Sequence, residues 1–353
     1  MQEPRVSPVA PPKPKGLSEK GKALWILALL SPVLAELCSG SSPPLEFFFP
    51  INFALLLGLY GAGVLVVREL SVVWGKGWAS ILVMGAAYGI LEEGVAVKSF
   101  FDPEWMDLGG LGVYGRFLGT NWVWAVWLTI YHAAISISLP ILIIHMLYPH
   151  LRKERFLTSG RFKWVMVILT LDVLVCTTLL NDYVPLIPMY LLAIAAVFGL
   201  FLYAKHLPSS FLRPTKPHPV WRPRRLAIMS FLFIFIDFLL AGIFVESSIP
   251  ALVPIVLLFA FSGFVLVSVV EHIGASNNLP QLAGLAGGLI GFLVIFGSLQ
   301  ELSGSLGMSV VALVTALFAV DLFRWASGRR VLVFHVARYI YGDSRRRLES
   351  IRS

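Results

Sequence analysis

Charge is what this chain lacks most. Asp, Glu, Lys and Arg make up 14% of its 353 residues, where a soluble domain carries roughly a quarter. A water-facing surface over the whole length is therefore excluded. Cysteine is nearly absent: Cys38 and Cys176 fall in separate apolar blocks, so no disulfide framework or cysteine-rich metal knot can form. HExxH, a glycine-rich phosphate loop and CxxC are all missing, which removes the usual zinc-peptidase, nucleotide and thiol-redox signatures. ELCSGS at 36–41 lacks the G-x-S-x-G elbow of serine hydrolases. LAELC at 34–38 has Glu36 and Leu37 where a lipoprotein cleavage site needs small residues. No basic cluster with interleaved aromatics is present, so no nucleic-acid partner is expected. Alternating segments of about ten residues, the mark of a transmembrane barrel, are also missing.

Apolar residues, by contrast, are abundant, at 57% with a mean hydropathy of +0.81. They fall into blocks at about 23–40, 49–67, 78–97, 122–147, 163–180, 185–204, 226–245, 251–270, 279–299 and 306–323. Each is long enough, as a helix, for a hydrocarbon core of about 30 Å. Backbone groups in lipid must be satisfied within the segment, so the blocks predict helices. The expected fold is an all-α polytopic bundle of about ten spans.

Charge placement supports that count. With the N-terminus inside, all but Lys98 and Arg116 of the 28 basic residues fall in inner segments, the bias expected of cytoplasmic loops. Both termini are then cytoplasmic, and the expected location is the plasma membrane of a prokaryote. The net charge of +8 is the sum of these inner segments, and anionic lipid is their expected partner. Oligomeric state is not encoded in any visible pattern.

Residues 1–22 read as a proline-rich, disordered cytoplasmic tail. A six-span region over 23–204 and a four-span region over 226–323 flank a basic linker at 205–225, and 324–353 forms a second basic tail. No repeat joins the halves. The longest outer connection, 99–121, carries glycines, acids and aromatics. It reads either as an interfacial aromatic belt or as a lid over a membrane site.

Six carboxylates fall within the expected spans: Glu36, Glu92, Glu93, Asp172, Asp237 and Asp321. Each costs at least about 2.5–3.5 kcal/mol near a helix centre, which makes such residues functional suspects. Asp321 lies three residues before Arg324 and is expected to pair there. Asp172 and Asp237 stand alone, as structural groups or as secondary ion sites. Helical rise places Glu36, Glu92 and His132 at comparable depth. Gly85, Gly89, Glu92 and Ala96 share one stripe, small residues flanking an acid as where helices approach closely. Ala125, Thr129, His132 and Ser136 share a face of the fourth span. Glu36, Glu92, Glu93 and His132 are thus the expected proton- or ion-binding residues, without a Lys or Arg partner in the core.

The run EEGVAVK at 92–98, followed by His132 in the next span, resembles the CAAX-protease and bacteriocin-processing type of intramembrane protease. That resemblance implies that Glu92 and Glu93 activate water and that His132 stabilises the oxyanion. Lys98 stands one position later than that family's basic residue, and Leu128 stands where it has Phe. EHIGASNN at 271–278 has Ser276 where Asn or Asp is expected.

Three functions follow from these residues. The first is a proton- or cation-coupled transporter of a small solute, to which the glycine-rich GLAGGLIGF at 284–292 also points. The second is an intramembrane hydrolase using Glu92, Glu93 and His132, with metal assistance if a metal binds. The third is a non-catalytic assembly or partner subunit in which the acids are structural. No cofactor is specified.

Overall fold

The computed structural model describes residues 17–212, 218–273 and 278–333. The proline-rich tail up to residue 16, the middle of the basic linker, Ser276 and the tail beyond 333 lie outside the described residues.

The chain is a bundle of helices. α1 runs over Glu19–Pro32 and continues through a π-helical turn, Val33–Leu37. Ser18 caps it, its hydroxyl accepting from the Gly21 N–H at 3.2 Å. After it come α2 (Pro50–Val73), α3 (Trp78–Ala96), α4 (Trp122–Leu147), α5 (Ser159–Leu180), α6 (Ile187–His206), α7 (Pro223–Gly242), α8 (Leu252–His272), α9 (Leu279–Leu302) and α10 (Met308–Ala326). From α2 onward these nine are long and apolar enough to cross a membrane. α1 is not among them; it carries Glu19, Lys20 and Lys22 in its first turn and Glu36 in the π turn that ends it. Among the described residues, strand is limited to the pair β1 (Arg116–Phe117) and β2 (Thr120–Asn121).

Contacts at the two ends show the helices alternating in direction. At the basic end, Lys20 pairs with Glu154 at 2.6 Å, and Lys76 Nζ donates to the Leu207 carbonyl at 2.8 Å. At the opposite end, Tyr114 donates to the Ile249 carbonyl at 3.1 Å, and Gly307 lies against Pro44.

Burial identifies the centre. α4 is 89% buried over its most apolar stretch and α3 72%, against 17% for α5 and α6. α4 is therefore the axis, walled by α1, α2 and α3 on one side and by α7, α8 and α9 on the other. α5, α6, α8 and α10 turn rows of Leu, Val and Phe outward, the perimeter that lipid would cover.

Apolar side chains gain nothing by leaving lipid for protein, so close packing holds such helices together. Small residues supply it. A Cβ at Gly85 would meet Ala133 Cα at 2.9 Å, and one at Gly89 would meet His132 Cβ at 2.9 Å. The stripe read on α3 is thus its contact with α4. In the same way a Cβ at Gly288 would sit 2.1 Å from the Ala227 carbonyl oxygen, and one at Gly284 2.3 Å from that of Pro223. These glycines of GLAGGLIGF seat α9 on α7. They are a packing face.

A second buried polar knot anchors the basic end. Arg68 and Glu69 are fully buried and pair at 2.5 Å. Arg68 also donates to the Leu151 carbonyl at 2.7 Å, and Glu69 accepts from the Phe156 N–H at 2.9 Å. Because α2 extends to Val73, past the expected boundary, both charges lie on a helix. Asp321 accepts from the backbone N–H groups of Leu332 (2.7 Å) and Val333 (2.9 Å), while Arg324 donates to the Arg330 carbonyl at 2.7 Å. The short turn after α10 therefore engages both residues.

Candidate functional site

Four helices bring the site together, and each does so through a π-helical turn. Val33–Leu37 carries Glu36, Leu57–Gly61 carries Tyr60, Ile90–Ala96 carries Glu92 and Glu93, and His132–Ser138 carries His132 and Ser136. A fifth such turn, Cys176–Leu180, lies beside them on α5. π turns are rare, and they concentrate at functional sites because the extra residue re-aims side chains.

The local consequence is clearest on α3. At an α-helical step of about 100° per residue, Glu92 faces inward and Glu93 only flanks. In the wider turn both reach the same atom. His132 Nε2 lies 2.9 Å from Glu92 Oε2 and 2.9 Å from Glu93 Oε1. A hydrogen bond joins Nε2 to Glu93, while Glu92 Oε2 is buried beside it without a hydrogen bond. Glu92, Glu93 and His132 are all buried.

The outward-turned atoms of these three residues are each held by a hydroxyl. Ser136 Oγ lies 2.8 Å from His132 Nδ1, and Tyr60 lies 3.0 Å from Glu92 Oε1. Ser99 donates to Glu93 Oε2. Tyr60 also reaches Glu36 Oε1 at 2.5 Å, and Ser42 donates to Glu36 Oε2 at 2.7 Å. The result is a chain of contacts from Ser42 through Glu36, Tyr60, Glu92, His132 and Glu93 to Ser99, hydrogen-bonded at every link except that between Glu92 and His132. The rings of Tyr60, Tyr88 and Tyr131 surround His132, with centroids 6.0, 6.2 and 5.5 Å away. The Tyr88 hydroxyl is buried without a partner.

Proton counting shows what this arrangement demands. Tyr60 has one proton and two carboxylate neighbours, so the second contact is favourable only if that acid is itself protonated. One His132 N–H likewise serves two carboxylates. Three ionised acids against one imidazolium would leave uncompensated charge in a low-dielectric interior. The cluster must therefore hold additional protons or a cation.

Among the described residues, Glu92, Glu93 and His132 are the group that could hold a metal, offering ligand atoms within 4.8 Å of one another. A nitrogen and two carboxylate oxygens suit a divalent ion such as zinc. The hydroxyls on the far atoms are the outer-shell partners that fix such ligands.

The connection after α3 adjoins this cluster. Lys98 adopts a left-handed backbone, φ 62°, and its ammonium turns away from the glutamates. It donates to the carbonyls of Thr177 (3.0 Å), Tyr183 (2.9 Å) and Asn181. Burial pushes the Lys98 ammonium below its ordinary pKa, while Asp182 and Asp102 pull it back. Ser99, Phe100 and Phe101 are buried, Trp124 Nε1 donates to Ser99 at 3.1 Å, and Asn121 N–H donates to the Phe100 carbonyl at 2.8 Å. The start of the 99–121 segment is thus stapled to the bundle, and its first residue is a member of the site.

Four expected residues are brought together: Glu36, Glu92, Glu93 and His132. Asp172 and Asp237 are not among them. Asp172 fills the notch left by Gly58, whose Cβ would lie 2.9 Å from its carboxylate, and Asp237 accepts from Ser262 at 2.8 Å. Sequence reasoning missed Tyr60, Tyr88, Ser99 and Ser136 as partners. Ser136 was visible on the His132 face, but hydroxyls in apolar runs carry no signal of what they touch.

The helices, their apolar perimeter and the polar cluster they enclose define a polytopic integral membrane protein. The chain belongs to a family described as an uncharacterized membrane protein family, which it matches over residues 25–341. No curated protein and no solved structure matches it. The resemblance to CAAX-type proteases finds no support in these comparisons, and Lys98, the nearest counterpart of that family's basic residue, points away from the acids.

Proposed function

We propose that this protein is a proton- or cation-coupled transporter of a small solute, with Glu36, Tyr60, Glu92, Glu93 and His132 as the coupling site. One observation carries the reading: His132 Nε2 lies 2.9 Å from two carboxylates of one helix, with no Lys or Arg side chain among the cluster's hydrogen bonds and ion pairs. Such a cluster changes its charge whenever it gains or loses a proton or an ion, and intramembrane acids of this kind mark ion pathways. The Tyr60 hydroxyl between Glu36 and Glu92 offers a route along which a proton can move. With the basic end cytoplasmic, as the charge bias argues, the site lies nearer the outer face.

The test is uptake into proteoliposomes from a mixture of cell-extracted solutes, read by mass spectrometry under an imposed pH or cation gradient. Gradient-dependent accumulation that disappears in Glu92→Gln is the expected result. Accumulation that ignores the gradient, or survives the substitution, overturns the coupling role.

A second reading rests on the buried, hydrogen-bond-free Glu92 Oε2 and Tyr88 hydroxyl. An acceptor and a donor left open beside an imidazole also suit intramembrane hydrolysis, with Glu92 as general base. Stoichiometric zinc in the purified protein, lost in His132→Ala, together with turnover of a membrane-anchored peptide, would favour hydrolysis over transport.

A further inference from the structure

A cavity unrelated to the carboxylate cluster opens at the basic end. It has a volume of about 360 Å³ and is lined by Pro219, Val220, Trp221, Arg222, Arg225 and His272. It sits where α7 begins, α8 ends and α9 begins.

Three side chains form a stack along its wall. The Arg225 guanidinium lies 4.1 Å from the Trp221 ring centroid, and Trp221 stacks on His272 at 4.3 Å with planes 23° apart. The stack is fixed by the backbone. Trp221 N–H donates to the His272 carbonyl at 2.9 Å, and Gln281 donates to the Trp221 carbonyl at 2.7 Å. His272 Nδ1 lies 2.9 Å from the Ser268 carbonyl. That contact makes Nδ1 the donor and leaves Nε2 for another partner.

The charge here is in excess. Arg222, Arg224 and Arg225 are exposed, and among the described residues Glu271, which approaches His218 at 3.9 Å, is a nearby acid. A guanidinium held flat on an aromatic ring is pre-oriented, so less freedom is lost when it forks onto a phosphate. Arg222 also precedes the first turn of α7 without making a side-chain cap, so that turn's N–H groups add their partial positive charge.

We propose that this pocket binds the phosphate of an anionic phospholipid. The pocket lies at the ends of α7 and α8, which are only 28% and 22% buried and so present most of their length to lipid. Val220, on the rim, is 56% exposed, and Trp221 is the kind of residue that settles at headgroup depth. A lipid can therefore keep its tails on the helix perimeter while its headgroup enters, a placement that soluble phosphate does not exploit.

The test uses the full chain, purified and exposed to phosphatidylglycerol or phosphatidylcholine, with retained lipid counted by native mass spectrometry. Retention of phosphatidylglycerol should exceed that of phosphatidylcholine and should fall about tenfold, or ~1.4 kcal/mol, in Arg222→Gln with Arg225→Gln. The pair Arg161→Gln with Lys163→Gln, equally basic and exposed at the same end, should leave it unchanged. Equal loss in both pairs would mean diffuse charge attraction and overturn the site. Displacement of the lipid by excess inorganic phosphate would overturn the lipid assignment in favour of a free-phosphate site. Should the glutamine pair fail to fold, Arg225→Lys keeps the charge but loses the planar stack. Reduced retention there supports the proposal, and full retention overturns it.

Discussion

At the scale of single residues, Tyr60 carries the most information about the site. It joins Glu36 on α1 to Glu92 on α3, and removing its hydroxyl leaves both acids buried beside a vacancy. Tyr60→Phe should cost about 0.5–1.5 kcal/mol in stability, read as a small fall in melting temperature. It should also shift the pH dependence of any coupled uptake, because Glu36 no longer shares a proton with Glu92. A melting temperature that falls with an unchanged pH profile would confine Tyr60 to a structural part. The acids and the imidazole were legible in the sequence because charge in an apolar run is conspicuous and because rise per residue placed them at similar depth. Tyr60 and Ser99 were not, since a hydroxyl in such a run looks the same whether it touches a carboxylate or a backbone carbonyl. The contact of both glutamates with one imidazole was hidden for a different reason. It depends on a π turn, and the residues on either side are those of an ordinary helix.

Helices and their contacts set the next scale. Long apolar blocks made the spans plain, and the small-residue stripe on α3 pointed correctly to close approach, here onto α4. On α9 the same signal left the neighbour open, because glycine in a span reports that something comes near without saying what. The structure answers with the carbonyls of Pro223 and Ala227. Gly288→Leu should therefore force α9 off α7 and destabilise the protein by about 1–3 kcal/mol or more, measured by thermal unfolding in detergent. Gly287→Leu, on a face where a Cβ meets nothing within 4 Å, should be nearly silent. At the basic end, Glu69→Ala leaves the Arg68 guanidinium buried and unpaired. Breaking a buried pair in this way costs about 3–5 kcal/mol, so the variant should be recovered from membranes at much lower yield than wild type.

For the whole molecule, the decisive quantity is orientation. The basic residues gather at one end of the bundle and the site lies toward the other, so the charge bias predicts which end faces the cytoplasm. Val113 (86% exposed) lies in the 99–121 segment, and Ser210 lies exposed in the connection after α6, at the basic end. In intact cells, Val113→Cys should react with a membrane-impermeant maleimide and Ser210→Cys should react only after permeabilisation. The native Cys38 and Cys176 are buried and should contribute little background. The reverse pattern would invert the assigned topology and place the carboxylates on the cytoplasmic side.

The wide spacing of the clustered groups along the chain also constrains how the protein is made. Glu36 leaves the ribosome long before His132. At about 5–20 residues per second, synthesis from position 36 to position 132 takes roughly 5 to 20 seconds. Throughout that interval the cluster it belongs to lacks its imidazole. The nascent chain must therefore enter the bilayer with Glu36 protonated or sheltered by the insertion machinery, and the site can close only once the fourth helix arrives.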